Sequence, residues 1–418
     1  MSEIRELGVR ARDASRQLRT IDTRTKNLAL ESISAALLQQ RAFILEANAG
    51  DLAAGREAGL SEPLLERLTL NESRLEGIAA DVLTVAALPD PVGQTIDERL
   101  LPNGLRVSKR RVPLGVIGVI YESRPNVTVD IAALCLKSGN ATIMRGGKEA
   151  ANSNRALAEV VSSACAQAGV PAAAVQLVQS PERELVKEML TANEYIDMII
   201  PRGGADLHRF ALENATIPVI TGGIGICHVF VDESADAAKV LPIIFNSKVQ
   251  RPTVCNALDV ILIHRAVAER LLPAIAADLE RAEVRLRCAP SAYEILQHHP
   301  LACLAGPDDF DTEFLALIAA VKVVDGLDEA LAHIQEHSTH HSDAIVTENY
   351  TNALRFVDEV DSAAVYVNAS TRFTDGSQFG MGAEVAISTQ RLHARGPMAL
   401  EELTTYKWVI LGDGQIRA

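Results

Sequence analysis

The stretch Asn246-Ser-Lys-Val-Gln-Arg-Pro-Thr-Val-Cys255-Asn-Ala sets one cysteine between a polar, cation-bearing segment and the apolar run Ala257-Leu-Asp-Val-Ile-Leu-Ile263. The thiolate rather than the thiol is the nucleophile, and nearby cations such as Lys248 and Arg251 could lower the cost of holding its charge. Cys255 is therefore the candidate nucleophile. A lone cysteine is more often a small buried hydrophobe, so its neighbours along the chain must decide between the two readings.

Two further loops carry residues suited to an anionic cofactor. In Met144-Arg145-Gly146-Gly147-Lys148 the glycines permit close backbone approach, and Arg145 and Lys148 can hold a phosphate. Ile200-Pro201-Arg202-Gly203-Gly204-Ala-Asp-Leu leads into a helical pattern whose first N–H groups favour an anion. A Gly-Gly pair after a strand is usually a plain turn, but two such loops at the carboxyl ends of parallel strands are more specific. The Gly-x-Gly-x-x-Gly string of an ordinary Rossmann dehydrogenase is missing. His298-His299 and His337-Ser-Thr-His340-His341 bring no carboxylate or cysteine partners, and the six cysteines show no C-x-x-C spacing. Neither a metal nor a disulfide framework is expected.

The elements that must position these groups read as an α/β protein. Helical spacing runs from Glu3 to about Val85, and Asn103-Gly104 between two alternating runs signals a β-hairpin. Strands at 115–120, 141–144, 175–178 and 196–200 alternate with helices at 126–137, 150–168, 181–191 and 205–214, and Ile217–Ile220 closes the series. Single helices between strands imply a parallel sheet of nucleotide-binding type. A second series follows, with a helix at 235–245, the Cys255 loop, a strand to Ile263 and a helix at 266–281, and further segments run to about Val367. The apolar tail Tyr406-Lys-Trp-Val-Ile-Leu411 would be an exposed edge unless it pairs with the hairpin or another subunit.

With 418 residues, 48% hydrophobic and 22% charged, the chain can bury two or three domains. A net charge of −14 without long basic clusters disfavours nucleic acid and anionic membranes, so an anionic ligand must be met by local cations. The charged start Met-Ser-Glu-Ile-Arg-Glu-Leu lacks a signal-peptide core and no apolar run suits a spanning helix, so a cytoplasmic location is expected.

Val112-Pro-Leu-Gly-Val-Ile-Gly-Val-Ile120 followed by Ser138-Gly-Asn-Ala-Thr-Ile-Met-Arg145 resembles the aldehyde dehydrogenase superfamily. The segment before Cys255 resembles its nucleophile loop, and Ala399-Leu-Glu-Glu-Leu-Thr-Thr-Tyr-Lys-Trp408 resembles its carboxyl-terminal segment. Four longer strings are similar to its glutamyl-phosphate-reducing branch: Tyr121-Glu-Ser-Arg-Pro-Asn-Val-Thr128, Ile200-Pro-Arg-Gly-Gly204, Gln250-Arg-Pro-Thr-Val-Cys-Asn-Ala257, and Gln378 through Met398.

That resemblance implies two parallel-sheet α/β domains plus a small β oligomerisation element. The expected NADPH-binding domain is 1–90 with 113–226 and about 370–392, the catalytic domain is 227–369, and the oligomerisation element is 91–112 with 393–418. It implies NADPH-dependent reduction of L-glutamyl 5-phosphate to L-glutamate 5-semialdehyde, with release of phosphate, in proline biosynthesis. Cys255 would carry a thioester, and Asn126 would supply an amide donor to the oxyanion, although a helix cap explains Asn126 equally well. The run Val219-Ile-Thr-Gly222-Gly223 aligns with a superfamily Gly-Gly pair and lacks the preceding glutamate that activates water in hydrolytic members. Arg145 and Lys148 would favour the 2′-phosphate of NADP, and Arg124, Arg251 and Arg372 are candidates for the substrate's anionic groups. A homo-oligomer and channelling with glutamate 5-kinase are further expectations. A CoA-acylating aldehyde dehydrogenase and a non-catalytic relative are the alternatives.

Overall fold

The helical periodicity at the start of the chain folds as α1 (Glu3–Leu18), α2 (Thr23–Gln39), α3 (Arg41–Glu57), α4 (Glu62–Leu68) and α5 (Glu72–Ala87). Ser2, Asp22 and Asn71 each accept a backbone N–H from the first turn of the helix that follows, which settles where α1, α2 and α5 begin. The structure is a computed structural model that describes residues 2–222 and 224–417, so Gly223 lies outside the described residues.

The chain divides into two units, one of Met1–Thr221, Gly380–Ala386 and Met398–Ala418, the other of Gly222–Phe379 and Ile387–Pro397. Residues 222–226, 370–379 and 387–392, expected with the NADPH-binding domain, fall in the second unit, as do 393–397 of the expected oligomerisation element.

In the first unit the hairpin forms from β1 (Thr95–Leu100) and β2 (Arg106–Pro113), turning at Gly104 with φ +85°. Then come β3 (Val116–Tyr121), α6 (Asn126–Lys137), β4 (Ala141–Arg145), α7 (Ala151–Gln167), β5 (Val175–Leu177), α8 (Glu184–Leu190), β6 (Met198–Arg202) and α9 (Ala205–Asn214). The sheet order is β5-β4-β3-β6, all parallel, so the winding reverses beside β3. Ligands of open α/β sheets bind at such a reversal, beyond the carboxyl ends of the strands. The expected strand at Ile217–Ile220 is reduced to one bridge, Ile199 to Val219, next to Pro218, which has no N–H to give a ladder.

The second unit runs β7 (Cys227–Val231), α10 (Ala237–Val249), β8 (Leu258–His264), α11 (Arg265–Glu280), β9 (Arg285–Cys288), α12 (Pro290–Leu296), β10 (Ala302–Leu304), β11 (Ile318–Val324), α13 (Leu327–His337), β12 (Ser342–Val346), α14 (Tyr350–Glu359) and β13 (Ala364–Val367). Its seven parallel strands lie in the order β10-β9-β11-β8-β7-β12-β13. Successive residues alternate between two cores: Val229, Ile261 and Ile263 enter one, while Phe230, Val260 and Leu262 enter the other. Covering on both faces is why β8 reads as a continuous apolar run.

The short strands β14 (Ala386–Ser388) and β15 (Gly396–Met398) pair, and the tail ends in β16 (Thr404–Leu411). β16 lies antiparallel to β2, giving a three-stranded sheet with β1 and β16 at its edges. Among the described residues no helix is long and apolar enough to cross a membrane.

Candidate active site

Cys255 stands on the turn between α10 and β8, where the Ala257 N–H donates to the Val254 carbonyl at 3.0 Å. It is partly exposed. The turn is pinned from the next residue. The buried Asn256 amide donates to the Thr374 carbonyl at 2.8 Å, and the Thr371 hydroxyl donates to the Asn256 carbonyl at 2.8 Å. From β7 the buried Cys227 thiol donates to the Cys255 carbonyl at 3.3 Å. The Gly225 backbone approaches that same carbonyl so closely that a Cβ there would collide with it.

Lys248 is not the cation of this turn. α10 continues through Val249 and buries Lys248 completely, with its ammonium 3.0 Å from Asp259 Oδ1. Burial drives the ammonium down and the Asp259 carboxyl up, each opposed by its partner. The cation that acts electrostatically on the thiol is Arg372. Partial burial pulls its guanidinium down, the Cys255 charge is the leading influence in the opposite direction, and Arg251 adds to the lowering. Arg251 and Arg372, two of the three expected substrate arginines, thus act on one another as like charges. Arg124 belongs to the other unit, in the loop before α6.

Glu313, unremarkable in the sequence, accepts the Gly225 N–H at 2.9 Å, and burial leads in raising its carboxyl. Gly222, an expected cofactor glycine, forms an antiparallel bridge with Ser388 and has no room for a side chain against the Ile387 carbonyl.

In the first unit Asn126 is the first residue of α6 and does not cap it. Pro125 holds the cap position, and the Asn126 amide donates to Asp130 Oδ2 at 2.8 Å. A cavity of about 1160 Å³ lies across the carboxyl ends of β3 and β4. Arg145, Gly147 and Lys148 line it as expected, joined by Arg183 and Lys187 of the segment after β5 and by Leu207 and Phe210 of α9. Arg145 Nη2 donates to the Pro181 carbonyl at 3.2 Å. Burial lowers Arg145 most, Glu149 opposes this, and the like charge of Arg183 adds to it. Glu149 is itself engaged, accepting from the Ser123 N–H and hydroxyl at 2.7 and 2.8 Å.

Gly146 is fitted against Asn154, where a Cβ would clash. Pro201, Arg202, Gly203 and Gly204 do not line this cavity. The Gly204 N–H donates to Glu122 Oε2 at 3.3 Å, and Arg202 acts electrostatically on Asp130 and His208. The cleft thus sets Arg145, Lys148, Arg183 and Lys187 beside the apolar Leu207 and Phe210. Among the described residues no cluster of three His, Cys, Asp or Glu suits a metal.

Arg183 and Lys187, four residues apart after a strand, were a signal the sequence offered. Cys227, Gly225 and Glu313 were not, because their partners come from distant segments.

The aldehyde dehydrogenase family profile matches residues 9–291. The chain is 58% identical over 424 residues to the gamma-glutamyl phosphate reductase of Roseiflexus castenholzii, covering 100% of both chains. The crystal structure of gamma-glutamyl phosphate reductase from Thermotoga maritima superimposes with a TM-score of 0.98 at 48% identity, covering 100% of both. An acetylating aldehyde dehydrogenase from Geobacillus thermoglucosidasius shares the fold, with a TM-score of 0.70 at 19% identity over 100% of this chain and 98% of that one.

Proposed function

Because the chain belongs to the aldehyde dehydrogenase family, in its gamma-glutamyl phosphate reductase branch, we propose that it reduces L-glutamyl 5-phosphate to L-glutamate 5-semialdehyde with NADPH, through a thioester on Cys255. The chain is an oxidoreductase, and its place is the reductase step of proline biosynthesis.

The observation that carries the reading is Cys255 on a pinned turn with Arg372 and Arg251 about it. The Cys255 thiolate attacks the acyl-phosphate carbonyl, the carbon–oxygen bond to phosphate breaks, and inorganic phosphate leaves with its electron pair. Arg372 and Arg251 receive the charge of that phosphate or of the substrate carboxylate. Asn126 donates its amide to the oxyanion of the addition step and again to that of the reduced thiohemiacetal. When bound, a nicotinamide cofactor would supply the hydride that reduces the thioester carbon. Collapse of the thiohemiacetal then breaks the carbon–sulfur bond, returning the thiolate and releasing the aldehyde.

Arg145, Lys148 and Arg183 support NADPH over NADH, since three cations about one cavity favour a phosphate over a bare hydroxyl. A homo-oligomer is supported by the edge strand β16, which exposes Tyr406, Trp408, Ile410 and Leu411. The lability of an acyl phosphate favours direct transfer from glutamate 5-kinase. A cytoplasmic location accords with such a biosynthetic role.

The test is NADPH formation from glutamate semialdehyde and NADP with phosphate or with CoA, in the wild type and in Cys255→Ser. Strict dependence on phosphate, with loss of about four orders of magnitude in the variant, is expected. Turnover with CoA alone would shift the reading to an acylating enzyme, and full turnover by Cys255→Ala would end the covalent mechanism.

A further inference from the structure

Asp130 is a half-buried acid on α6, one turn beyond Asn126, and none of the steps above uses it. Residues four apart on a helix share a face, and here the Asn126 Nδ2 donates to Asp130 Oδ2 at 2.8 Å. An ionised carboxylate only accepts, so it admits the NH2 end of the amide and rejects the Oδ1 end. The amide group is planar. Once one N–H is held, the direction of the other is set.

We propose that Asp130 is a positioning residue for the reduction, holding the Asn126 amide in the one orientation that presents its second N–H to the reaction's oxyanion. The inference rests on the reading of Asn126 as that donor.

The surroundings make this a conditional support. Burial pushes the Asp130 carboxyl up to about 6; the Asn126 bond opposes it, Asp81 of α5 raises it further, and Arg202 at the end of β6 lowers it. Those three side chains are the groups that act on it. Above pH 6 the carboxylate accepts from Asn126. Below it the protonated acid can donate to Asn126 Oδ1, and the amide can turn over. The orienting effect is therefore present above about pH 6 and lost as pH falls through that value.

A purely structural acid on α6 would also stabilise the fold, through its bond to the Asn126 amide. It would not act on turnover through Asn126, and a double-mutant cycle on the full chain separates the two cases. The variants are Asn126→Ala, Asp130→Asn and both together, assayed in the phosphate-dependent oxidation, with the thermal midpoint and NADP affinity as controls. We expect Asn126→Ala to lower kcat about 100-fold and Asp130→Asn about tenfold, with KM for phosphate unchanged. Asp130→Asn should flatten the pH profile below 7 and add nothing in the Asn126→Ala background.

Equal effects of Asp130→Asn in both backgrounds, or wild-type kcat and pH profile in the single variant, would overturn the positioning role and leave Asn126 in place. Full kcat in Asn126→Ala would instead remove the reading beneath it. Should Asp130→Asn unfold at the assay temperature, the exposed Asp81 gives a second arm. Asp81→Asn removes a charge that raises Asp130, so the kcat inflection should move to lower pH. An unmoved inflection overturns the inference.

Discussion

The Cys227 thiol donates to the carbonyl oxygen of Cys255 across 3.3 Å, and the Gly225 backbone closes on that same oxygen. The candidate nucleophile is thereby fixed through its own main chain, from a strand that precedes it by 28 residues. Gly225→Ala forces a Cβ into the carbonyl and must displace the turn. A displacement near 1 Å can cost about 100-fold in kcat, so a loss of that order is expected, with little change in NADP affinity. Wild-type kcat in that variant would show that the turn tolerates the shift.

The charge of Cys255 supports the Arg372 guanidinium, and the like charge of Arg251 opposes it. Arg372→Gln should slow alkylation of Cys255 by iodoacetamide and raise KM for phosphate, each by about tenfold, because one charged hydrogen bond is worth roughly 1.5–3 kcal/mol. Arg251 is exposed, and the same change there should have the smaller effect. Unchanged alkylation and KM in Arg372→Gln would remove it from the site.

The like charges of Arg145 and Arg183 at one cavity make a charge reversal informative. Arg183→Glu should weaken NADP binding about tenfold or more while leaving NAD within about twofold, as titration of cofactor fluorescence would show. Equal weakening of both would place the 2′-phosphate elsewhere.

His208 of α9 is buried, and its imidazole is held down to about 4, first by burial and then by the charge of Arg202. The unfolded chain takes that proton near 6.5, the folded chain only near 4, so the unfolded state binds more protons between those values. Stability from this group therefore falls as pH drops from 6.5 toward 4, by about 1.4 kcal/mol per unit. His208→Gln should cost stability at pH 8, and that deficit should shrink by about 2–3 kcal/mol at pH 4.5 in urea unfolding. A deficit independent of pH would mean that the imidazole is protonated in the fold.

Lys248 and Asp259 form a buried pair, so Lys248→Met should cost about 3–5 kcal/mol by leaving the carboxylate alone. Replacing Asp259 by Leu in the same chain should recover most of that loss. If the single change were neutral by thermal unfolding, Asp259 would be protonated in the fold.

The alternation of strand and helix was legible because buried parallel strands and amphipathic helices carry different periods, and Asn126–Lys137 and Ala205–Asn214 fold over those very residues. Segments without a period of their own were not. Asn246–Val249 looks like a polar loop, yet it is the last turn of α10, and Lys248 is tolerable inside only because Asp259 waits across the fold. Ile217–Ile220 has strand composition but forms a single bridge. At the site, Cys255 and the Arg145 loop could be read from residue type and local setting. Asp130 pairs with Asn126 four residues before it, but the influence of Asp81 and Arg202 on its charge could not be read, since both lie far from it in sequence.

The hairpin strand β2 keeps one edge open until β16 arrives, and the Asn140 side chain, far earlier in the chain, donates to the Leu403 carbonyl at 2.8 Å. During synthesis the first unit begins folding earliest yet is closed by residues 398–411, made after residues 222–379 of the second. A chain cut before residue 400 would keep Thr371 and Thr374, which pin the Cys255 turn, while leaving the β2 edge of the first unit open. Such a truncation should therefore cost solubility before it disturbs the turn.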